Sequence, residues 1–138
     1  MAKIIDGKEL SQRIKDKLKG DIENFKRNYA RDISLAVVLV GDNPASEVYV
    51  RNKIKACEYV GIKSLSYRLD KDTSEDEVVK LVQGLSEDKS VDGILVQLPL
   101  PKHISEEKVL SHIAPEKDVD GFTAVNVGNM NIGKDCFA

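Results

Sequence analysis

The chain has 138 residues, of which 41% are hydrophobic and 32% charged, and its formal net charge is −2. This composition is typical of one globular domain, and it excludes a strongly basic surface for nucleic acid and the roughly 20-residue apolar run that spans a bilayer. The start MAKIIDGKEL lacks the pattern of a secretion signal, and Cys57 and Cys136 fit neither a disulfide framework nor a CxxC motif. We therefore predict a cytoplasmic protein with two reduced thiols and without a nucleic-acid or membrane partner.

A long helix and a buried strand are the first predicted elements. Apolar residues recur every three or four positions from about Gly7 to Ala30, which predicts a helix with one apolar stripe. Asp6, with Glu9 three residues on, resembles a capping box at its start. The run ISLAVVLVG, Ile33 to Gly41, is short, β-branched and continuously apolar. It predicts a strand buried on both faces, as in a parallel sheet.

Helices and strands alternate in the middle of the chain. The segment SEVYVRNKIKACEYVGI indicates a helix from about Ala45 to Val60, with Gly61 as its C-terminal cap. The looser alternation of apolar and polar residues from Ile62 to Leu69 predicts a second strand. The segment TSEDEVVKLVQGL predicts a third helix, for which Thr73 or Ser74 can serve as the N-cap.

The last regular elements are a third strand and a short helix. The segment DGILVQLPLP predicts a buried strand from about Gly93 to Gln97, which Pro99 and Pro101 end. A short helix capped by Ser105 follows. Residues 115–138 are rich in Asp, Asn and Gly and show little periodicity, so we expect an irregular segment there.

The alternation of strands and helices predicts a three-layer α/β/α domain with a mostly parallel sheet. Ligands of such sheets bind beyond the carboxyl ends of the strands. The segments GDNPAS, DKDTS and QLPLP follow the three predicted strands, so we expect a site among them.

The candidate residues are polar side chains near these strand ends, because GxGxxG, GxxxxGK[ST], HExxH and GxSxG motifs are all absent from the sequence. Tyr49 and Lys53 lie one helical turn apart and share a helix face. Gln97 ends an apolar strand, and Asp118 and Asp120 lie in a turn. Each has an ordinary structural interpretation as well: a boundary aromatic, a solvated lysine, a satisfied strand end and turn carboxylates.

Three segments together carry a resemblance to a known family. VGDNPASEVYVRNKIKACEYVGI, DGILVQLPLP and PEKDVDGFTAVNVG closely resemble, in this order, the bifunctional methylenetetrahydrofolate dehydrogenase/methenyltetrahydrofolate cyclohydrolase family. The resemblance covers nearly the whole chain. It implies two reactions: hydride transfer from 5,10-methylenetetrahydrofolate to NADP, and hydrolysis of the resulting methenyl group to 10-formyltetrahydrofolate.

The resemblance also implies a role for each matching residue. Lys53, Gln97 and Asp120 correspond to the catalytic residues: the lysine, the glutamine that hydrogen-bonds it and the aspartate that holds the pterin end. Tyr49 corresponds to the tyrosine that stacks on the folate ring system. The remaining substrate-binding positions are a serine that supports the lysine and two residues that shape the pocket wall, namely Ser46, Leu98 and Pro99.

Family members continue with a second, Rossmann-type domain that binds the nicotinamide cofactor. The resemblance therefore implies that residues 1–138 are the N-terminal folate-binding catalytic domain alone, with no cofactor-binding or metal-binding residues. Full-length members tend to form homodimers, and this chain alone could be a monomer. Two alternatives remain open: a folate-binding fragment without turnover, and a generic sheet domain that binds a phosphorylated metabolite.

Overall fold

Three parallel strands form the central sheet of the computed structural model, which describes residues 6–136. They are β1 (Ser34–Val40), β2 (Lys63–Leu69) and β3 (Gly93–Val96), in the order β2-β1-β3. All seven residues of β1 pair with β2, and four of them also pair with β3 on the opposite side. The strand β1 is therefore central and almost wholly buried, as its continuous apolar run predicts.

Helices begin where the sequence places short polar caps. They are α1 (Gly7–Tyr29), α2 (Pro44–Val60), α3 (Glu75–Glu87), α4 (Glu106–Leu110) and α5 (Ala124–Asn131), with a 3₁₀ helix at Pro115–Lys117. Asp6 accepts hydrogen bonds from the first amides of α1, and Ser74 with Glu77 forms a capping box at α3. Gly61 ends α2 in the left-handed conformation, with φ 88°. The caps predicted for these helices are thus confirmed.

Two apolar clusters separate the sheet from its covering helices. Alternate residues of β1 point to opposite faces, so Val38 joins the cluster under α3 and α4 while Val37 joins the cluster under α2. Val37, Val38 and the α2 residue Val50 have no exposed surface. Burying a valine side chain contributes about 1.5–3 kcal/mol to the free energy of folding. This arrangement confirms the three-layer α/β/α prediction.

The apolar stripe of α1 is only partly covered. Ile22 is buried, whereas Leu10, Ile14 and Leu18 are 41%, 57% and 41% exposed. The helix lies outside α2 rather than directly on the sheet, and Gln12 of α1 donates to the hydroxyl of Tyr59 in α2. Between residues 6 and 136, no helix has the length and apolarity of a membrane span.

The expectation of an irregular segment over residues 115–138 is wrong for part of it. A 3₁₀ helix occupies Pro115–Lys117, and α5 occupies Ala124–Asn131 with Thr123 as its N-cap. The sequence of α5 shows no clear apolar stripe, and most of its side chains are exposed. Residues 137 and 138 lie outside the described part of the chain.

Candidate functional site

An open pocket of about 370 Å³ lies at the carboxyl edge of the sheet. The residues that line it come from α2, from the end of β3 and from the segment before α5: Tyr49, Lys53, Val96, Gln97, Leu98, Asp120 and Phe122. The structure thus brings together all the predicted site residues except Ser46 and Pro99. It does so from three stretches that are far apart in sequence.

The helix α2 supplies the aromatic and the cationic wall of the pocket. Asn43 accepts hydrogen bonds from the amides of Ala45 and Ser46, which fixes the start of the helix just beyond β1. Val50, one residue after Tyr49, packs into the cluster between α2 and the sheet. Tyr49 remains 62% exposed. A flat aromatic face is therefore presented to the pocket by a helix that cannot easily shift.

Gln97 offers an unused hydrogen-bond acceptor to the pocket. Its amide donates to the carbonyl of Val38 at 2.9 Å, which continues the β1–β3 pairing by one residue. Its side-chain Nε2 donates to the carbonyl of Leu98 at 2.8 Å. Its Oε1 atom is buried, yet no group among residues 6–136 donates to it. Because an unsatisfied buried acceptor costs roughly 1–3 kcal/mol, this atom is suited to a donor from Lys53 or a ligand.

Two predicted residues lie beside the pocket rather than on its wall. Pro99, which follows a cis peptide bond, is exposed and lines a neighbouring groove of about 290 Å³ with Gly41 and Lys71. Ser46 is 4% exposed and lies in the first turn of α2, beneath Tyr49. We therefore place Ser46 in the support of the helix and Pro99 at the rim of the site.

The two aspartates of the DVDG segment have different environments. Asp118 is 2% exposed, and its carboxylate accepts hydrogen bonds from the amides of Phe122 and Thr123 and from the side chain of Asn126. Burial alone would raise the pKa of Asp118, but these hydrogen bonds outweigh it and hold the pKa below its ordinary value. Asp120 is half-buried and lines the pocket.

The pocket also contains a residue that the sequence did not single out. Phe122 is 51% exposed and lines the same pocket as Tyr49. The nearest signal is its position after Gly121, whose φ of 69° marks a turn that presents its neighbours at the surface. The pocket thus has two aromatic side chains, Tyr49 and Phe122, that are partly exposed to solvent.

The charged groups of the pocket, Lys53 and Asp120, have no side-chain partner in the part of the chain that the structure describes. Across residues 6–136, neither Lys53 nor Asp120 takes part in a salt bridge or a side-chain hydrogen bond. A cation, a carboxylate acceptor, the free oxygen of Gln97 and aromatic surface therefore converge on one space. Such a combination fits a flat, polar-edged aromatic ligand, with the lysine free to transfer protons.

Comparisons with known proteins identify the family of the chain. The sequence matches the family model for the tetrahydrofolate dehydrogenase/cyclohydrolase catalytic domain over residues 5–120. It is 58% identical over 137 residues to the bifunctional protein FolD of Agathobacter rectalis, covering 99% of this chain and 49% of that protein.

Solved structures share the fold. A 5,10-methylenetetrahydrofolate dehydrogenase from the silkworm Bombyx mori has a TM-score of 0.96 and 44% identity, covering 100% of this chain and 48% of that one. A Trypanosoma brucei FolD, complexed with NADP cofactor and inhibitor, has a TM-score of 0.93 and 34% identity, covering 98% and 46%. The chain thus spans about half the length of the relatives it matches.

Proposed function

The chain belongs to the tetrahydrofolate dehydrogenase/cyclohydrolase family, and we propose that its carboxyl-edge pocket binds a one-carbon derivative of tetrahydrofolate and hydrolyses the methenyl form. The observation that carries the proposal is the meeting of Tyr49, Lys53, Gln97 and Asp120 in one pocket. No two of the three segments that supply these residues adjoin in sequence, so their meeting depends on the fold.

Tyr49 and Asp120 provide recognition in this proposal. The exposed face of Tyr49 stacks on the pterin ring, an interaction worth roughly 1–3 kcal/mol by analogy with base stacking on aromatic side chains. Ionised Asp120 only accepts hydrogen bonds, whereas the pterin edge presents an amide N–H and an exocyclic amine. The carboxylate therefore suits that edge of the ring.

Lys53 and Gln97 provide the chemistry. Hydrolysis adds the oxygen of water to the methenyl carbon, breaks the bond from that carbon to one ring nitrogen, and releases one proton overall. Lys53 takes the proton that the attacking water loses and delivers it to the departing nitrogen, while the second proton of that water leaves to solvent as the formyl C=O bond forms. The Oε1 of Gln97, to which no group among residues 6–136 donates, is the acceptor that would orient Lys53 once the ligand is bound.

The described residues do not fit the nicotinamide cofactor that the dehydrogenase step needs. No glycine-rich turn follows any of the three strands, and the side chain of Asn43 already occupies the first free amides of α2. We therefore derive no hydride-transfer step from these residues. For the whole protein we propose NADP as the hydride acceptor, a homodimeric assembly and a cytoplasmic location, with residues 1–138 as the folate-binding catalytic domain.

A methenyltetrahydrofolate hydrolysis assay on the 138-residue chain tests the proposal, since the methenyl chromophore disappears on ring opening. Lys53→Met should slow hydrolysis by about 100-fold or more, the usual contribution of a positioned proton-transfer group. Lys55→Met is the matched control, because Lys55 is exposed on the same helix and does not line the pocket.

The assay also separates the alternative of a folate-binding fragment without turnover. That alternative predicts tight binding of methenyltetrahydrofolate with no hydrolysis above the uncatalysed rate, in the parent chain and in both variants. Equal catalysed rates for the parent chain and Lys53→Met would instead refute the role of Lys53.

A further inference from the structure

We propose that Asp118 is a positioning residue of the pocket: its buried carboxylate fixes the turn of residues 119–122, and this holds Asp120 and Phe122 on the pocket wall. The identity of the ligand in this inference rests on the proposed function. The positioning itself rests on contacts within the protein.

The carboxylate of Asp118 accepts hydrogen bonds from two backbone amides at the far end of the turn. Its Oδ1 accepts from the amide of Phe122 at 3.2 Å, and its Oδ2 accepts from the amide of Thr123 at 2.7 Å. The turn between the carboxylate and these two amides contains Asp120 and Gly121. Two backbone amides are thus held by one side chain, which leaves the intervening residues little freedom to move.

Both ends of this turn are tied to the fold. Asp118 forms an isolated parallel bridge with Ile94 of β3, the strand that ends at Val96, one residue before Gln97. At the other end, Thr123 is the N-cap of α5, and Asn126 of that helix donates at 2.9 Å both to Oδ2 of Asp118 and to the carbonyl of Pro115. The turn that bears Asp120 is therefore anchored to the sheet on one side and to α5 on the other.

The residue between the two aspartates contacts β3. A Cβ atom at Gly93 would lie 2.7 Å from Cγ1 of Val119, so the absence of a side chain at position 93 lets Val119 lie close to the strand, although 45% of Val119 stays exposed. Asp120, the next residue, is half-buried and lines the pocket, whereas Asp118, the residue before, is buried. The contact of Val119 with β3 therefore lies between the buried aspartate and the one that lines the pocket.

The hydrogen bonds need an ionised Asp118. All three groups around the carboxylate are N–H donors, from Phe122, Thr123 and Asn126. Asp118→Asn has nearly the same shape but turns an N–H₂ group toward one of these donors. The variant therefore loosens the turn without leaving a cavity.

A double-mutant cycle tests whether Asp118 acts through Asp120. Calorimetry under anaerobic conditions measures the affinity of the chain for tetrahydrofolate. Asp118→Asn should weaken tetrahydrofolate binding about tenfold in the parent chain, because loss of the carboxylate frees the turn of residues 119–122. In an Asp120→Asn background it should change affinity by less than about twofold, because the group it positions is already altered. A purely structural role would reduce affinity by the same factor in both backgrounds, and that result would overturn the proposal.

Hydrogen exchange supplies a readout that does not depend on the ligand. Asp118→Asn should speed exchange at the amides of residues 119–123 and leave the amides of β1 protected. Unchanged exchange in the turn would refute the positioning role even if the chain bound no tetrahydrofolate. A parent chain that failed to bind would refute the proposed function alone.

Two further variants distinguish a local effect on the turn from a general destabilisation of the fold. Asn126→Ala removes a single donor to the carboxylate and should show the same pattern with a smaller loss of affinity. Asp92→Asn alters a carboxylate that accepts a backbone amide at the other edge of the sheet, and it should leave tetrahydrofolate affinity unchanged. A loss of affinity in Asp92→Asn equal to that in Asp118→Asn would mean that general destabilisation explains the effect.

Discussion

The two ends of the sheet carry pockets of similar size and different character. The pocket at the amino ends of the strands has a volume of about 390 Å³, against about 370 Å³ at the carboxyl ends. Its lining is basic and polar: Arg31, Asp32, Ser34, Lys63, Leu65, Lys89 and Ser90. Both pockets contain lysine and aspartate, but only the pocket at the carboxyl ends is lined by aromatic side chains, those of Tyr49 and Phe122.

At the amino edge, polar groups bond to one another. Arg31 donates to both carboxylate oxygens of Asp92, at 3.2 and 2.6 Å, and the amide of Ser34 donates to the same carboxylate at 2.8 Å. Asp32 pairs with Lys26 at 2.8 Å. Arg31, Asp32 and Ser34 thus have partners within the chain, whereas Lys63 and Lys89 of the same pocket take part in no salt bridge among residues 6–136.

At the carboxyl edge, the polar groups face the open pocket without such partners. Through residues 6–136, Lys53 and Asp120 form no salt bridge, and the buried oxygen of Gln97 accepts no hydrogen bond. Proteins rarely leave buried polar atoms unsatisfied except where they meet something else. Among residues 6–136, the carboxylates at the amino edge are therefore bonded within the chain, whereas the carboxylate of Asp120 and the buried oxygen of Gln97 at the carboxyl edge are not, and this difference, more than cavity size, distinguishes the two edges.

The largest effect on ligand affinity is expected at Asp120. Asp120→Asn removes the charge and one acceptor, so tetrahydrofolate affinity should fall about 10–100-fold, as for other hydrogen bonds to a charged group. The free energy of unfolding should stay within about 0.5 kcal/mol of the parent value, since Asp120 bonds no other described residue. Calorimetric titration and urea unfolding measure the two quantities.

The control for this variant is Asp21→Asn, an exposed position on α1 outside the pocket. It should change neither quantity. If Asp120→Asn reduced stability and left affinity intact, the contrast between the two edges of the sheet would fail.

A smaller loss is expected when the aromatic wall is removed. Tyr49→Ala should weaken tetrahydrofolate binding about tenfold, within the roughly 1–3 kcal/mol that stacking on an aromatic side chain contributes. Tyr49→Phe keeps the ring and should bind within about twofold of the parent, because stacking does not need the hydroxyl. Calorimetry distinguishes the outcomes, and a tenfold loss in Tyr49→Phe would assign the role to the hydroxyl instead.

Much of this arrangement follows from local sequence patterns. The buried run of β1, the cap at Ser74 and the glycine after α2 each depend on a few neighbouring residues, so their predictions were confirmed. The helix α5 was missed because its stability comes from tertiary contacts. Its N-cap Thr123 and its residue Asn126 bond to Asp118, which no periodicity reveals.

The different roles of the two aspartates in the DVDG segment were likewise not predictable from the sequence. Two turn aspartates look alike in sequence, and only the folded structure shows that Asp118 is buried among hydrogen-bond donors while Asp120 lines the pocket. The roles of the site residues come from the family resemblance and stay predictions. The structure adds that these residues, apart from Ser46 and Pro99, line one pocket.

The smallest effect is expected at the amino edge, and it should appear in stability alone. Burial by itself raises the pKa of Asp92, but the hydrogen bonds from Arg31 and Ser34 outweigh it and leave the pKa below its ordinary value. The ionised carboxylate therefore stabilises the fold above its unfolded pKa of about 3.9, and this stabilisation is lost as the pH falls through the lower folded value.

Asp92→Asn keeps an oxygen for the amide of Ser34 but loses the charged pair with Arg31, whose side chain is 48% exposed. Its free energy of unfolding at pH 7 should be lower than that of the parent by about 1 kcal/mol or less, the range of partly exposed ion pairs. The difference should shrink as the pH falls below about 4, because the parent loses the same charge. Urea unfolding across this pH range measures it. A difference independent of pH would show that shape rather than charge holds this edge together.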